Sequence, residues 1–348
     1  MANINARSPY YVSTTQAGMV SASIDVYIYT GVQTTDRPTD PTYTLSSNAV
    51  SAKVDFEIAD LVKDYITMTL DYANTSTIAN NVWVDYQITR NFFNTSTVLT
   101  MVQLTGFDGY GYIEDGVNPQ LNASEAYLLS NTHIVKNADD ILYFPVNNSA
   151  NGATVQFKLA DGTIVNTETI TSSTNSYDQV EYFTNTGATD NVDEVVVTFG
   201  IKVRTFTVEN VEECLDTPYR LTFVNRFGAL QSLVMFKKSS RTMTTNVKYY
   251  KKNIIENADY ALRNAQKSIV LKNANESLTL NSGFYPESNN DVFKELLLSE
   301  NVWIDYESNE IPCNISSSSI SFKTSRNDKL INYTLGIDFA NDVVQNIR

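Results

Sequence analysis

The sequence predicts a mainly β protein: tandem β-sandwich-like domains followed by a C-terminal β-rich domain that carries one short helix. Three observations predict it. Apolar residues recur with period 2 along most of the chain, the pattern of half-buried strands. Only 18% of residues are charged, against a norm of about 25%, and Asn, Thr, Ser and Tyr fill their place. Thr and Tyr favour strands, whereas Asn and Ser favour turns. At 348 residues the chain has room for two or three domains of about 150 residues.

The first block, 1–120, reads as an N-terminal β-sandwich. Ile24, Val26 and Ile28 alternate within 21–29, and Val54, Phe56 and Ile58 alternate within 54–58. Residues 34–41 hold two prolines and two aspartates, so regular structure stops there. Residues 59–65 suit a helix of two turns at most. Residues 82–88 and 98–104 read as further strands, and the Gly-rich stretch 106–119 reads as loop.

The second block, 121–212, is a smaller β-domain. Residues 141–145, 154–159 and 194–199 are strand-like, and Asp161-Gly162 between two alternating runs signals a hairpin. The third block, 213–348, reads as a C-terminal β-rich assembly domain. Residues 219–224 and 229–236 flank a turn at 225–228. Strands are expected at 267–271, 276–280, 302–306, 319–324 and 330–339. Val292 with Leu296 and Phe293 with Leu297 stand at i,i+4, which predicts a helix near 291–298. One phrase recurs, 81–86 and 301–306, and both tryptophans lie in it. The reading there is a strand with a core Trp and an outward Asp, and reuse of a good strand explains it better than domain duplication.

Enzyme chemistry finds no foothold in the residues. There is one histidine, His133, and the two cysteines, Cys214 and Cys313, lack the spacing of a zinc site. No GxGxxG, P-loop or GxSxG pattern occurs. The Asp108, Glu114 and Asp115 loop lacks the alternating oxygen ligands of an EF-hand, so a plain acidic turn is expected. No catalytic residue, cofactor or metal is expected, and the cysteines are expected to be reduced structural thiols. Residues 1–12 have no apolar signal core and no run nears the ~18 apolar residues of a membrane span. Cytoplasmic synthesis without a membrane span is therefore expected.

Charge divides the chain. Residues 1–212 hold nine basic and twenty-four acidic residues, a net of −15, whereas 213–348 are at +1. The strongest local run is Lys237, Lys238, Arg241, Lys248, Lys251 and Lys252, uninterrupted by any acid. These six are the candidate partner contacts. The net charge of −14 argues against a free-standing DNA binder.

Residues 214–231, from Cys214 through Asn225-Arg-Phe-Gly228 to Gln231, resemble segments in virion proteins of tailed bacteriophages of marine and Bacteroidetes hosts. The opening 3–12 (Asn-Ile-Asn-Ala-Arg-Ser-Pro-Tyr-Tyr-Val) is similar in kind. Residues 298–304 and 329–339 resemble the closing strands of tail or neck ring subunits. The resemblance leaves 120–211 unmatched. It implies a non-enzymatic structural subunit of the virion, made in the host cytoplasm and assembled as a cyclic homo-oligomer in a tail or neck ring. Its partners would be its own copies and other virion proteins, with DNA only as passing cargo. The alternative is a receptor-binding adhesin whose tandem sandwiches recognise host surface glycans. On the ring reading, the near-neutral 213–348 is expected to supply most contacts between copies.

Overall fold

The computed structural model describes residues 3–70, 72, 80–121, 125–138, 140–171, 179–185, 191–255, 258–317, 321 and 329–344. With 51% strand and 7% helix, the protein is mainly β, with several sheets and one short helix near the C-terminus. The strand expected over 319–324 falls outside the described residues except at 321.

Two compact units divide the chain. The first takes 1–212 together with 223–233 and 288–299; the second takes 213–222, 234–287 and 300–348. The helix Asn290–Leu298, expected within the third block, therefore belongs to the first unit.

Among the described residues the first unit holds one hydrophobic core built from residues between Ile4 and Leu104 and another from residues between Ala126 and Val208. Around the first core, one sheet runs in the order Asn3–Asn5, Val102–Phe107, Asn81–Asn91, Ser21–Tyr29, Tyr43–Asn48. A small sheet of Tyr11–Thr15 and Lys53–Glu57 supplies the facing layer. Val12, Val54 and Phe56 from the small sheet share this core with Ile24, Val26, Val82 and Val84 from the large one. The alternation read at 24–28 is the reason: its apolar residues are buried, and Ser23, Asp25 and Tyr27 between them are partly exposed.

Around the second core the connectivity repeats. The large sheet runs Ile164–Thr169, Thr154–Lys158, Glu194–Phe199, Lys202–Val211, His133–Asn137, and the small one pairs Tyr143–Asn147 with Val180–Thr184. In both sandwiches the first strand lies parallel to the last, as in Asn3↔Thr105 and His133↔Thr207. In both, the second pairs with the fifth and the third with the fourth and sixth. The second and fifth strands thus stand as B and E of an immunoglobulin-type sandwich and the third, fourth, sixth and last as C, C′, F and G, but the first strand lies beside G rather than beside B. The shared plan thus links the first and second blocks, whereas the repeated phrase lies in the first and third.

That echo marks different environments. Val82 and Val84 face the core, so Trp83 and Asp85 share the opposite face. Asp85 does not point to solvent as expected: it is fully buried, accepts from Tyr29 Oη at 2.9 Å and pairs with Arg37 at 3.2 Å. Trp303 is only half-buried, and Asp305 pairs with Arg220 at 3.3 Å.

Buried amides hold the returning segments to the first unit. Asn225 donates to Leu128 O at 2.8 Å and Gln231 Oε1 at 3.2 Å, and its own Oδ1 accepts from the backbone of Phe227 and Ala229. Gln231 donates to Asn131 Oδ1 at 3.3 Å, and Asn131 donates to Asn289 Oδ1 at 3.0 Å. Gly228, at φ +77°, turns the chain so closely over Phe107 that a Cβ there would lie 2.9 Å from that residue's Cβ. Gly109 is equally confined, because a Cβ would meet Asn5 Oδ1 at 2.8 Å and Arg226 O at 2.9 Å.

The second unit is built on antiparallel pairs. Val302–Tyr306 pairs with Asn309–Ile315, which pairs with Thr334–Phe339, then Lys267–Asn281, then Lys237–Lys251. The last two strands have 15 residues each, against a usual strand of about 5–6. The 330–339 strand of the sequence reading divides into Leu330–Ile331 and Thr334–Phe339.

Asn225→Ala leaves buried backbone donors and two amide partners unsatisfied, at about 1–3 kcal/mol each where water cannot replace them. We expect a loss of about 3 kcal/mol, read as a lower urea midpoint at unchanged slope. An unchanged midpoint would show that the amide chain does not hold the turn.

Candidate functional site

The six cations singled out in the sequence all lie on or beside the strand Lys237–Lys251, and the structure divides them into two groups. At the base, Lys237 is ion-paired with Glu213, and Arg241 bonds Glu276 through Nε at 2.9 Å and Tyr306 Oη at 2.8 Å. These bonds lower the pKa of Glu213 and raise those of Lys237 and Arg241. Lys238, Lys248, Lys251 and Lys252 form no ion pair among the described residues. All four are exposed. The basic run is thus a strand of a two-stranded ribbon: at its root Lys237 and Arg241 are paired and Lys238 is not, and farther along Lys248, Lys251 and Lys252 form no ion pair among the described residues.

A second constellation escaped the sequence reading. In the first unit, the loop that holds Tyr112 and Asp115, the segment 125–131, the turn at Arg226 and the helix Asn290–Leu298 border a cleft of about 430 Å³. Arg226 spans it, with Nη2 2.6 Å from Asp115 Oδ2 and its guanidinium 4.7 Å from the Tyr112 ring centre. Lys294 Nζ lies 3.4 Å from the centre of the same ring. Two cations against one aromatic ring are an attractive arrangement that also fixes the loop.

Glu295 forms the floor of this cleft and is fully buried. Ser130 Oγ donates to its Oε1, and the Arg226 backbone N–H donates to Oε2 at 3.4 Å. Burial pushes its pKa up to about 7, against the pull of those two donors and the Arg226 charge, and Asp291 adds to the rise. At 0% exposure, the carboxyl oxygens accept from protein groups, Ser130 Oγ and the Arg226 backbone. It ties the helix, the turn at Arg226 and the segment 125–131 together and acts as a positioning group.

The acidic loop expected at 108–115 is in place, with Asp108 buried and Asp115 bound to Arg226. Among the described residues no group of three or more His, Cys, Asp or Glu is placed to hold a metal ion, and no helix is long and apolar enough to cross a membrane. His133 lies 3.0 Å from Glu209 on the neighbouring strand. Neither a protein-family model nor a curated protein matches the chain. The functional reading therefore rests on the residues themselves.

Two predictions follow from these environments. Between about pH 4.5 and 7 folded Glu295 keeps a proton that the unfolded chain releases. Its contribution to stability is full below the unfolded pKa and is lost as pH rises through the folded one, a change of about 3 kcal/mol. Glu295→Gln should remove that pH dependence, so urea midpoints of the two proteins should converge or cross between about pH 5 and about pH 7.5. A difference independent of pH would show that the carboxyl does not carry it. Separately, Cys214 is free and exposed, while Cys313 is free, buried and pushed up to about 12. A thiol reagent should add once to the native protein and a second time only after denaturation, as read by intact mass; two native adducts would contradict the burial.

Proposed function

We propose that the chain is a non-enzymatic structural subunit of a tailed-phage virion that forms part of an oligomeric tail or neck ring. The resemblance of 3–12, 214–231, 298–304 and 329–339 to such proteins supports the reading. The observation that carries it is the ribbon of Lys237–Lys251 and Lys267–Asn281. Long exposed ribbons present backbone edges and side chains on both faces, which a solitary protein avoids because they invite association. In an assembly the same features are contacts. A contact between two different surfaces of identical copies runs head to tail and closes into a ring when its rotation permits. The partners are other copies and neighbouring virion proteins, the location is the virion, and DNA passes only as cargo.

The two sandwiches of like connectivity favour one further reading, an adhesin that recognises host surface glycans, since loops at the ends of such sandwiches serve as binding surfaces. Electron microscopy of the purified full chain separates the two. Closed cyclic rings are expected. Dispersed single copies that bind host cells or a glycan array would favour the adhesin and overturn the ring.

A further inference from the structure

The ribbon has a root and a free length. Thr334–Phe339 pairs only with Ser277–Asn281 of the long strand. The C-terminal segment reaches back to Asn273 and Ala274, through Asp342, Val343 and Val344. Among the described residues, 247–251 and their partners 267–272 have only each other. A two-stranded ribbon alone is marginal in water.

Its side chains add to that cost. Tyr249 (62% exposed) stands opposite Ile269 (52%), and Val270 is 59% exposed. Lys251 stands directly opposite Lys267, and like charges in register oppose pairing. Apolar residues without a core, and cations that form no ion pair among the described residues, both gain from a cover that is apolar in part and acidic.

Charge selects that cover. Residues 242–275 hold six basic and two acidic residues, a net of +4, within a chain of net −14, so the remainder carries −18. Residues 1–212 alone carry −15, and exposed carboxylates stand on both sandwiches, among them Asp36, Asp60 and Glu114 on one and Asp161 and Glu194 on the other.

We infer that the ribbon of one copy docks on the acidic sandwiches of a second copy, with Lys248, Lys251 and Lys252 as its charged contacts and Tyr249 and Tyr250 as its apolar ones. The inference rests on the ring-subunit reading and names the contact that would close the ring. Nucleic acid is the competing polyanion, and the acidic remainder of the chain repels it.

The test uses the full chain in sedimentation velocity at about 50 mM and about 500 mM salt, which shortens the reach of charge from over 10 Å to under 5 Å. The wild type should associate at low salt and dissociate at high salt. Lys248→Glu, Lys251→Glu and Lys252→Glu together should weaken association by about tenfold or more, with an unchanged circular dichroism spectrum. The milder Lys→Gln set at the same positions should fall between. Carbodiimide cross-linking of mixed ¹⁴N and ¹⁵N chains should join these lysines to carboxylates of 1–212 on another copy. Association unaffected by the reversal, ribbon-to-ribbon cross-links, or loss only of binding to a DNA duplex would each overturn the docking and leave the ring reading in place. A wild type that is monomeric in both salts and on electron micrographs would overturn the ring reading and the docking with it.

Discussion

The buried amide chain from Asn289 through Asn131 and Gln231 to Asn225 is the constraint on which the path of the polypeptide depends. Each of these side chains is nearly or fully buried, so each polar atom left without a partner would cost more than its bond contributes. The chain satisfies them only by bringing together segments separated by up to 158 residues. Glu295, bonded to Ser130 and to the Arg226 backbone, reinforces the same junction. Once 223–233 and 288–299 are fixed in the first unit, the chain must leave and return. The second unit consists of the excursions 213–222 and 234–287 together with 300–348, and the long ribbon lies within 234–287.

The same chemistry fixes the start of the chain. Asn3 and Asn5 are buried, yet their amides and backbone are satisfied by Asn118, Pro119, Gln120 and Leu121 at 2.6–3.1 Å. The exchange between Asn3 and Gln120 is reciprocal: the Asn3 backbone N–H donates to Gln120 Oε1, and Gln120 Nε2 donates to the Asn3 carbonyl. Amides suit such junctions because one side chain both donates and accepts. The Asn-rich composition, read from sequence as a turn signal, is therefore also the means by which distant loops are joined in the interior.

Patterns with one wet face and one dry face were legible in the sequence. Ile24, Val26 and Ile28, the Asp161-Gly162 hairpin and the helix at 290–298 all announce themselves because half of each element meets a core. The strand Lys237–Lys251 did not, since exposure on both faces erases the alternation from which a strand is read. Tyr43–Asn48, an edge strand, was missed for a different reason: its alternation is only Tyr43 and Leu45, which pack on the first core, and Ser46, Ser47 and Asn48 that follow read as a turn. Glu295 was missed although a signal existed. It stands three residues after Val292 and next to Leu296, inside the apolar stripe, where a charge signals a buried partner. The amide chain left no trace, because hydrogen bonds between Asn and Gln far apart in sequence have no periodicity.

On the proposed docking, net charge explains why a ribbon, rather than a flat face, would serve as the contact between copies. Copies that each carry −14 repel one another at the distances over which they first meet. Contact therefore needs a local region of opposite sign, concentrated enough to act within a Debye length of about 8 Å. A strand separates alternate side chains to opposite faces, so a single flat sheet edge would display only half of the available cations. A free two-stranded ribbon displays both faces of both strands and keeps Lys248, Lys251, Lys252, Lys267 and Lys272 within one short length. The pairing of Lys237 with Glu213 and Arg241 with Glu276 neutralises the root instead, where strand packing rather than a partner must hold the structure. On the proposed docking, cations in register weaken the ribbon alone and would strengthen it once an acidic surface covered them, so its ordering would be coupled to the presence of the next copy.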